Sequence, residues 1–244
     1  MHTVARGAAD VLIALAVAVA ILAVSMVPFL SPPYVAFAQE RAEARAWTGF
    51  DEAQLRTVTD AILADLVVGP PDFDVAIDGV AVLNERERSH MRDVRSVFMG
   101  FFLLALVAVV AAGLIAARRR GAAEFARSWR AARTGALVLA VGLVAAGGVA
   151  LVAFDVLFSV FHQVLFAGGS YTFDPTTERL VQLFPFRFWQ ESAIAVGIVA
   201  VVLGLLVAFV AGRRAGKLSE RASSQPRGSD AVLADASAPR PGSA

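Results

Sequence analysis

The chain contains no cysteine and only three histidines in 244 residues. Without cysteine, disulfide bonds, thiolate catalysis and lipidation of an N-terminal cysteine of its own are excluded. Neither sign of charge is in excess, because 22 basic and 21 acidic residues give a formal net charge of +1. This balance gives no indication of a nucleic-acid partner. His2 lies at the N-terminus, which leaves His90 and His162 as the histidines to examine for chemistry.

Apolar residues are abundant. They make up 57% of the chain, and the mean hydropathy is +0.65, which is too high for an ordinary soluble domain. The excess lies in four runs, at residues 8–30, 97–117, 134–161 and 192–212. Each run is long enough for a helix that crosses a bilayer core, which requires about 20 residues. The predicted fold class is therefore all-α, a four-helix transmembrane bundle in an integral membrane domain of residues 1–212.

The arginines predict the orientation in the cell membrane. Between the second and third runs lie six arginines and a single acid, Glu124, and Arg213, Arg214 and Lys217 follow the fourth run. By the positive-inside rule both termini are cytoplasmic, and the loops 31–96 and 162–191 face outward. Residues 213–244 are predicted to form a disordered cytoplasmic tail. Cleavage of the first run as a signal peptide after Ala38 is the alternative, but the run is longer than a usual signal core.

The first outer loop has helix and turn signals of its own. Asp51 and Gln54 have the spacing of a capping box, and apolar residues at helical intervals follow until Gly69. Asp78-Gly79 predicts a short hairpin, and a second capping box at Asn84 and Glu87 predicts that the second long helix begins near residue 85. We therefore expect an extracytoplasmic helical loop domain between transmembrane helices 1 and 2.

The topology brings the two histidines to the same side of the membrane. His90 precedes the second run by seven residues, about 10 Å of helix, and His162 follows the third run. Glu87 and Asp93 share the helix face of His90. Asp155 lies two turns below His162, and a carboxylate inside a membrane is a functional-site candidate by default. Paired imidazoles beside carboxylates predict a site at the outer interface.

Several chemistries fit such a site. Histidine and carboxylate side chains bind metal ions, as in a metal-dependent membrane hydrolase. Ser159 and Ser89 lie close enough in sequence to a histidine for acyl-enzyme chemistry, although neither has the strand-to-helix turn of a nucleophile elbow. General acid–base catalysis without a covalent intermediate is the third possibility. A non-catalytic scaffold that binds lipid or lipoprotein is the alternative from another class.

Two segments resemble the signatures of a known bacterial family, the lipoprotein intramolecular transacylases. The segments are residues 83–94, around His90, and residues 154–166, around His162. The second continues through Gly168-Gly169, Tyr171, Phe173-Asp174-Pro175, Leu183-Phe184-Pro185 and Phe188-Trp189. The resemblance covers roughly residues 8–212.

The resemblance implies a four-span membrane enzyme of the bacterial cell envelope that uses no cofactor. Its substrates would be diacylglyceryl lipoproteins, and membrane lipids would surround it. The reaction would move the sn-2 acyl chain to the N-terminal cysteine amine, which leaves a lyso-form lipoprotein. His90 and His162 would be catalytic. In this reading Glu87 or Asp93 would orient His90, Asp155 would support the site from below, and Tyr171 and Asp174 would serve the loop that covers it.

Overall fold

The computed structural model describes residues 2–166 and 171–224 and consists mostly of helices. In chain order the helices are α1 (His2–Met26), α2 (Pro32–Arg41), α3 (Ala44–Thr48), α4 (Glu52–Val67), α5 (Glu85–Arg118), α6 (Ala122–Leu165), α7 (Arg179–Leu183) and α8 (Phe186–Ser224). A 3₁₀ turn at Val27–Leu30 follows α1, and the hairpin strands β1 (Ala76–Ile77) and β2 (Val80–Ala81) precede α5.

Four helices, α1, α5, α6 and α8, are long and apolar enough to cross a membrane, which confirms the predicted number of spans and a multi-pass membrane protein. Three of them have 34, 44 and 39 residues, well beyond the roughly 20 that a bilayer core requires. These helices therefore continue beyond their apolar runs. Their outward faces carry exposed leucine, valine and phenylalanine side chains, as expected of surfaces that face lipid.

Small residues let three of the long helices approach closely. At Gly135 on α6, an added Cβ would collide with the backbone of Ala14 on α1. At Gly204 on α8, it would lie 3.2 Å from the carbonyl oxygen of Ala136. Lipid tails are as apolar as a helix surface, so association inside a bilayer depends on such close packing. Helix α5 packs mainly against α1 and scarcely touches α6.

The segments between α1 and α5 fold around a separate hydrophobic core. Phe73, Ile62, Val58 and Leu183 are fully buried there, and α7 and the first turns of α5 and α8 complete it. Both predicted capping boxes are present, as is the hairpin, in which Ala76 pairs with Ala81 and Ile77 with Val80. That this unit lies outside the membrane remains a prediction.

Two helices continue beyond the apolar runs that predicted them. Residues 213–224, assigned to a disordered tail, continue α8 to Ser224, while residues 225–244 lie outside the described residues. Helix α6 begins at Ala122, so Arg127, Arg130 and Arg133 lie on the helix and not in a loop. The physical reason is the same in both places. A change from apolar to charged residues marks where a helix leaves the apolar layer. It does not end the helix, because arginine, lysine and alanine all have high helix propensity.

We expect Gly135→Ala to destabilise the bundle, because the new methyl group must displace the α1 backbone. Overpacking of this kind costs about 1–3 kcal/mol. The matched control is Gly142→Ala on the same helix, where nothing lies within 4 Å of the added Cβ. Thermal unfolding of both variants in detergent measures the difference. Equal unfolding temperatures would contradict the close α1–α6 contact.

Candidate active site

The two histidines singled out in the sequence come together. His90 on α5 and His162 on α6 have ring centroids 6.1 Å apart and an interplanar angle of 22°. No hydrogen bond joins the two rings, and the only ring nitrogen bonded to another described residue is Nδ1 of His162. Both residues come from helix segments near the ends of the apolar runs, which is why topology alone was sufficient to predict their proximity.

The proton position on His162 follows from its hydrogen bond. Its Nδ1 lies 2.7 Å from the backbone carbonyl oxygen of Phe158. A carbonyl oxygen only accepts, so Nδ1 carries the hydrogen and donates it. In the neutral ring this leaves the lone pair on Nε2, which is the nitrogen able to take a proton from a substrate.

His90 is enclosed by aromatic rings. It is 6% exposed, and its ring centroid lies 4.9 Å from that of Phe166 and 5.3 Å from that of Phe173. Its Nδ1 is buried without a hydrogen-bond partner among the described residues. Loss of hydration is the main cause that lowers the pKa of His90 to about 4, and the nearby His162 lowers it further, while Asp93 opposes the shift. The ring is therefore uncharged at neutral pH.

Glu87 binds backbone groups and not His90, which it was predicted to orient. One carboxylate oxygen accepts the Asn84 N–H at 2.8 Å, and the other accepts the Leu180 N–H at 2.6 Å. Both oxygens bind backbone groups, so the predicted orientation of His90 by Glu87 is not seen. The buried carboxylate instead caps α5 and fastens α7 to it. The sequence revealed the cap, but the contact with Leu180 spans 93 positions and had no local signal.

The other predicted carboxylates do not reach the imidazoles. Asp93 is exposed and influences His90 only through its charge. Asp155 is exposed on α6, seven residues and about 10 Å of helix below His162. No ion pair or side-chain hydrogen bond of the described residues involves it. This distance explains why sharing a helix face was not enough to bring Asp155 into the site.

The segment after α6 contributes one of its two predicted residues to the site. The ring of Tyr171 lies 5.2 Å from that of His162. Asp174 instead shapes the loop, since its side chain accepts hydrogen bonds from the backbone and hydroxyl of Thr176, which lower the pKa of that carboxyl. The predicted Gly168-Gly169 motif lies outside the described residues.

Several aromatic residues form the walls of the site. Phe173 lies between His90 and Arg86, whose guanidinium carbon is 4.9 Å from the Phe173 ring centroid. Arg86 also approaches Glu178 to 3.6 Å. Phe158 contacts His162 at 4.1 Å between ring centroids. In the sequence, the concentration of aromatic residues around His162 was the signal that could have predicted these walls.

The alternative chemistries find little support in the part of the chain that the structure describes. It contains no group of three or more histidine and carboxylate residues placed to hold a metal ion. Ser159 accepts a hydrogen bond from Gln163 at 3.1 Å, and neither Ser159 nor Ser89 is hydrogen-bonded to a histidine. What the site can do is move protons and donate hydrogen bonds from two neutral imidazoles in an aromatic enclosure.

Fold and site together define a multi-pass membrane protein with paired imidazoles at one end of four apolar helices. Residues 11–189 match the profile of the family described as lipoprotein intramolecular transacylase Lit, and the chain belongs to that family.

Solved structures share the fold. The membrane-integral lipoprotein intramolecular transacylase Lit from Bacillus cereus is 14% identical, with a TM-score of 0.69 over 87% of this chain and 96% of that one. Two structures of the same protein with one histidine replaced, by arginine or by alanine, have TM-scores of 0.68 and 0.67. An uncharacterised protein from Aquifex aeolicus (strain VF5) is 26% identical over 135 residues, and the match spans 54% of this chain and 57% of that relative.

We expect Glu87→Ala to lower the unfolding temperature, because the backbone N–H groups of Asn84 and Leu180 would lose their acceptor. An unsatisfied buried donor costs about 1–3 kcal/mol. Glu87→Gln keeps one acceptor oxygen and should fall between the alanine variant and the wild type. The control is Glu85→Ala, which removes an exposed partner of Arg92 and should leave the unfolding temperature almost unchanged, because solvent screens such a pair. Thermal unfolding in detergent is the measurement, and similar losses at residues 85 and 87 would contradict the assigned contact.

Proposed function

We propose that this protein is a lipoprotein intramolecular transacylase that uses its two histidines as proton-handling groups. The substrate is a diacylglyceryl lipoprotein with a free amine on its N-terminal cysteine. The amine nitrogen attacks the carbonyl carbon of the sn-2 ester, the bond from that carbon to the glycerol oxygen breaks, and an amide forms. The amine loses a proton and the glycerol oxygen gains one, so the product is a lyso-form lipoprotein.

The observation that carries the proposal is the stacked pair of His90 and His162, 6.1 Å between ring centroids. Two groups suffice for this reaction because donor and acceptor belong to one molecule. The protein then needs to orient the ester and the amine, exclude water and move protons. A nucleophile that stores the acyl chain is unnecessary. This agrees with a chain that has no cysteine and, among the described residues, no serine hydrogen-bonded to a histidine.

His162 is assigned as the general base. Its Nδ1–H is held by the Phe158 carbonyl, so the lone pair on Nε2 is the one available to the substrate amine. An α-amine has a pKa of about 7.7–8.0 and attacks only as the neutral form, so a nearby base that accepts its proton promotes the attack. The same ring can then return the proton to the departing glycerol oxygen.

His90 is assigned as the hydrogen-bond donor to the developing oxyanion. Its low pKa keeps the ring neutral, and a neutral imidazole donates from one nitrogen only. A buried nitrogen without a partner costs less as a bare acceptor than as an unpaired N–H, so the unpartnered Nδ1 favours a hydrogen on Nε2. Enclosure by Phe166 and Phe173 lowers the local dielectric and strengthens that hydrogen bond.

The location follows from the arginines at the opposite end of the bundle. If Arg118, Arg119 and Arg120 mark the cytoplasmic side, the histidines lie at the extracytoplasmic face. Lipoprotein N-termini and their acyl chains are reached at that membrane surface. The protein therefore works in the cell membrane, and its partners are the lipoprotein substrate and the surrounding lipids.

We expect His162→Ala and His90→Ala each to reduce lyso-form production by about 10²–10⁴-fold, the usual contribution of an acid or base group. Ser159→Ala and Ser89→Ala are the controls, since neither serine is hydrogen-bonded to a histidine and both are exposed. Mass spectrometry of a lipoprotein N-terminus from cells with each variant gives the readout. Full activity in both histidine variants would overturn the proposal in favour of a non-catalytic lipid-binding scaffold.

The source of the transferred chain provides a separate prediction. A lipoprotein that carries both the sn-2 ester and the free amine should react alone, and its own sn-2 chain should become the amide. The reason is that no described residue of the site is suited to store an acyl group from a second molecule. The test mixes purified protein with such a lipoprotein in vesicles of isotope-labelled phospholipid. Label in the new amide, with the original sn-2 chain still in place, would indicate an ordinary phospholipid-dependent acyltransferase.

A further inference from the structure

A cavity lined by basic and aromatic side chains lies at the end of the bundle opposite the histidines. It has a volume of about 290 Å³ and lies between the start of α6 and the end of α8. We call it the basic pocket. Its lining residues are Phe125, Trp129, Arg214, Lys217, Leu218 and Arg221. The positive-inside rule accounts for the positive charge, but neither the fold nor the proposed reaction accounts for a cavity that combines three cations with two aromatic rings.

The cations of the basic pocket have no counter-ion among the residues that the structure describes. Arg214, Lys217 and Arg221 are spaced three and four residues apart on α8, share one face and are exposed. None of them takes part in an ion pair with another described residue. Arg127 at the same end is different, because Asp10 neutralises it at 2.6 Å. Three positive charges around one cavity therefore favour a negatively charged ligand.

The two aromatic residues that line the basic pocket indicate its position relative to the apolar layer. Phe125 and Trp129 are one helical turn apart on α6 and are 40% and 36% exposed. Trp129 lies five residues before the apolar run 134–161, and Arg214 lies two residues after the run 192–212. Both are thus within about 8 Å of the edge of the apolar layer. Half-exposed aromatic rings at that level are typical of the headgroup region of a bilayer.

We propose that the basic pocket binds the phosphate-bearing headgroup of an anionic phospholipid from the surrounding membrane. The three cations provide the charge complementarity, and basic clefts between membrane helices are suited to such headgroups. The cavity volume of about 290 Å³ lies just below the roughly 300–1,000 Å³ of sites that enclose a whole small molecule. This size suits a headgroup alone, with the acyl chains left in the bilayer. This proposal is independent of the proposed acyl transfer, because the cavity and the histidines lie at opposite ends of α6.

A matched pair of variants separates a specific site from general attraction to a negative membrane. The site variant carries Arg214→Gln, Lys217→Gln and Arg221→Gln. The control variant carries Arg118→Gln, Arg120→Gln and Arg213→Gln, which remove the same charge from exposed positions near the same end that do not line the cavity. Trp129→Ala is a third variant that keeps all the charges and tests the aromatic wall.

The experiment measures lipid binding to the full chain in a neutral detergent by native mass spectrometry and by lipid-dependent thermal stabilisation. The ligands are phosphatidylglycerol, phosphatidylcholine and inorganic phosphate. We expect wild type and the control variant to bind phosphatidylglycerol alike, within about twofold. The site variant should bind roughly 100-fold more weakly, since each cation near an anionic surface contributes about fivefold. Trp129→Ala should bind more weakly than wild type.

Several outcomes would overturn the proposal. Equal losses in the site and control variants would mean nonspecific charge attraction. Equal binding of phosphatidylcholine would remove the role of anionic charge, and displacement of the lipid by inorganic phosphate at similar concentration would point to a free-phosphate site. Displacement by an acidic peptide or a short oligonucleotide at lower concentration would assign the pocket to a macromolecular partner. Because binding is measured and not acyl transfer, failure here leaves the proposed function intact.

Discussion

A hydrocarbon layer offers no hydrogen-bond partner to a peptide group, and the architecture of this protein depends on that constraint. Each apolar run must satisfy its own backbone, so α1, α5 and α8 are helical through their apolar runs, and α6 is helical apart from a kink at Ala153. Lipid also removes the usual hydrophobic drive for helix association. Contact therefore rests on small residues such as Gly135 and Gly204, which bring α6 against α1 and α8. Helix α5 packs mainly against α1 and makes little contact with α6.

The histidines lie near the ends of the apolar runs, where backbone groups are no longer required to find all their hydrogen-bond partners within one helix. Below the pair the apolar helices exclude water, and above it α7 and the neighbouring loops form a small core that Glu87 fastens to α5. A carboxylate that accepts two backbone hydrogen bonds is a strong and directional clamp. It fixes the end of α7 relative to α5, which carries His90. The same loop segment contributes Phe173 and Tyr171, so the aromatic enclosure of the imidazoles depends on this clamp.

Charge is distributed in opposite ways at the two ends of the bundle. Near the histidines neutral rings lie in an aromatic enclosure, where burial lowers the pKa of His90 to about 4. At the opposite end Asp10 binds Arg119 and Arg127, while Arg214, Lys217 and Arg221 remain without a counter-ion among the described residues. The positive-inside rule predicts that this arginine-rich end is cytoplasmic, and we propose that the unpaired cations around one cavity also bind lipid there.

The sequence by itself determined the features that depend on short-range pattern. The four spans, both capping boxes, the hairpin at Asp78-Gly79 and the convergence of His90 and His162 follow from apolar run length, local spacing and alternating topology. The tertiary structure decided which neighbours each polar group meets. Glu87 was on the correct helix face but binds Leu180, 93 positions away, and the tautomer of His162 is set by a carbonyl one turn below it. Asp155 shared a face with His162, yet two helical turns separate them. Periodicity specifies direction around a helix axis, whereas hydrogen bonding requires partners within about 3 Å, and that distance is fixed only when the helices and loops pack.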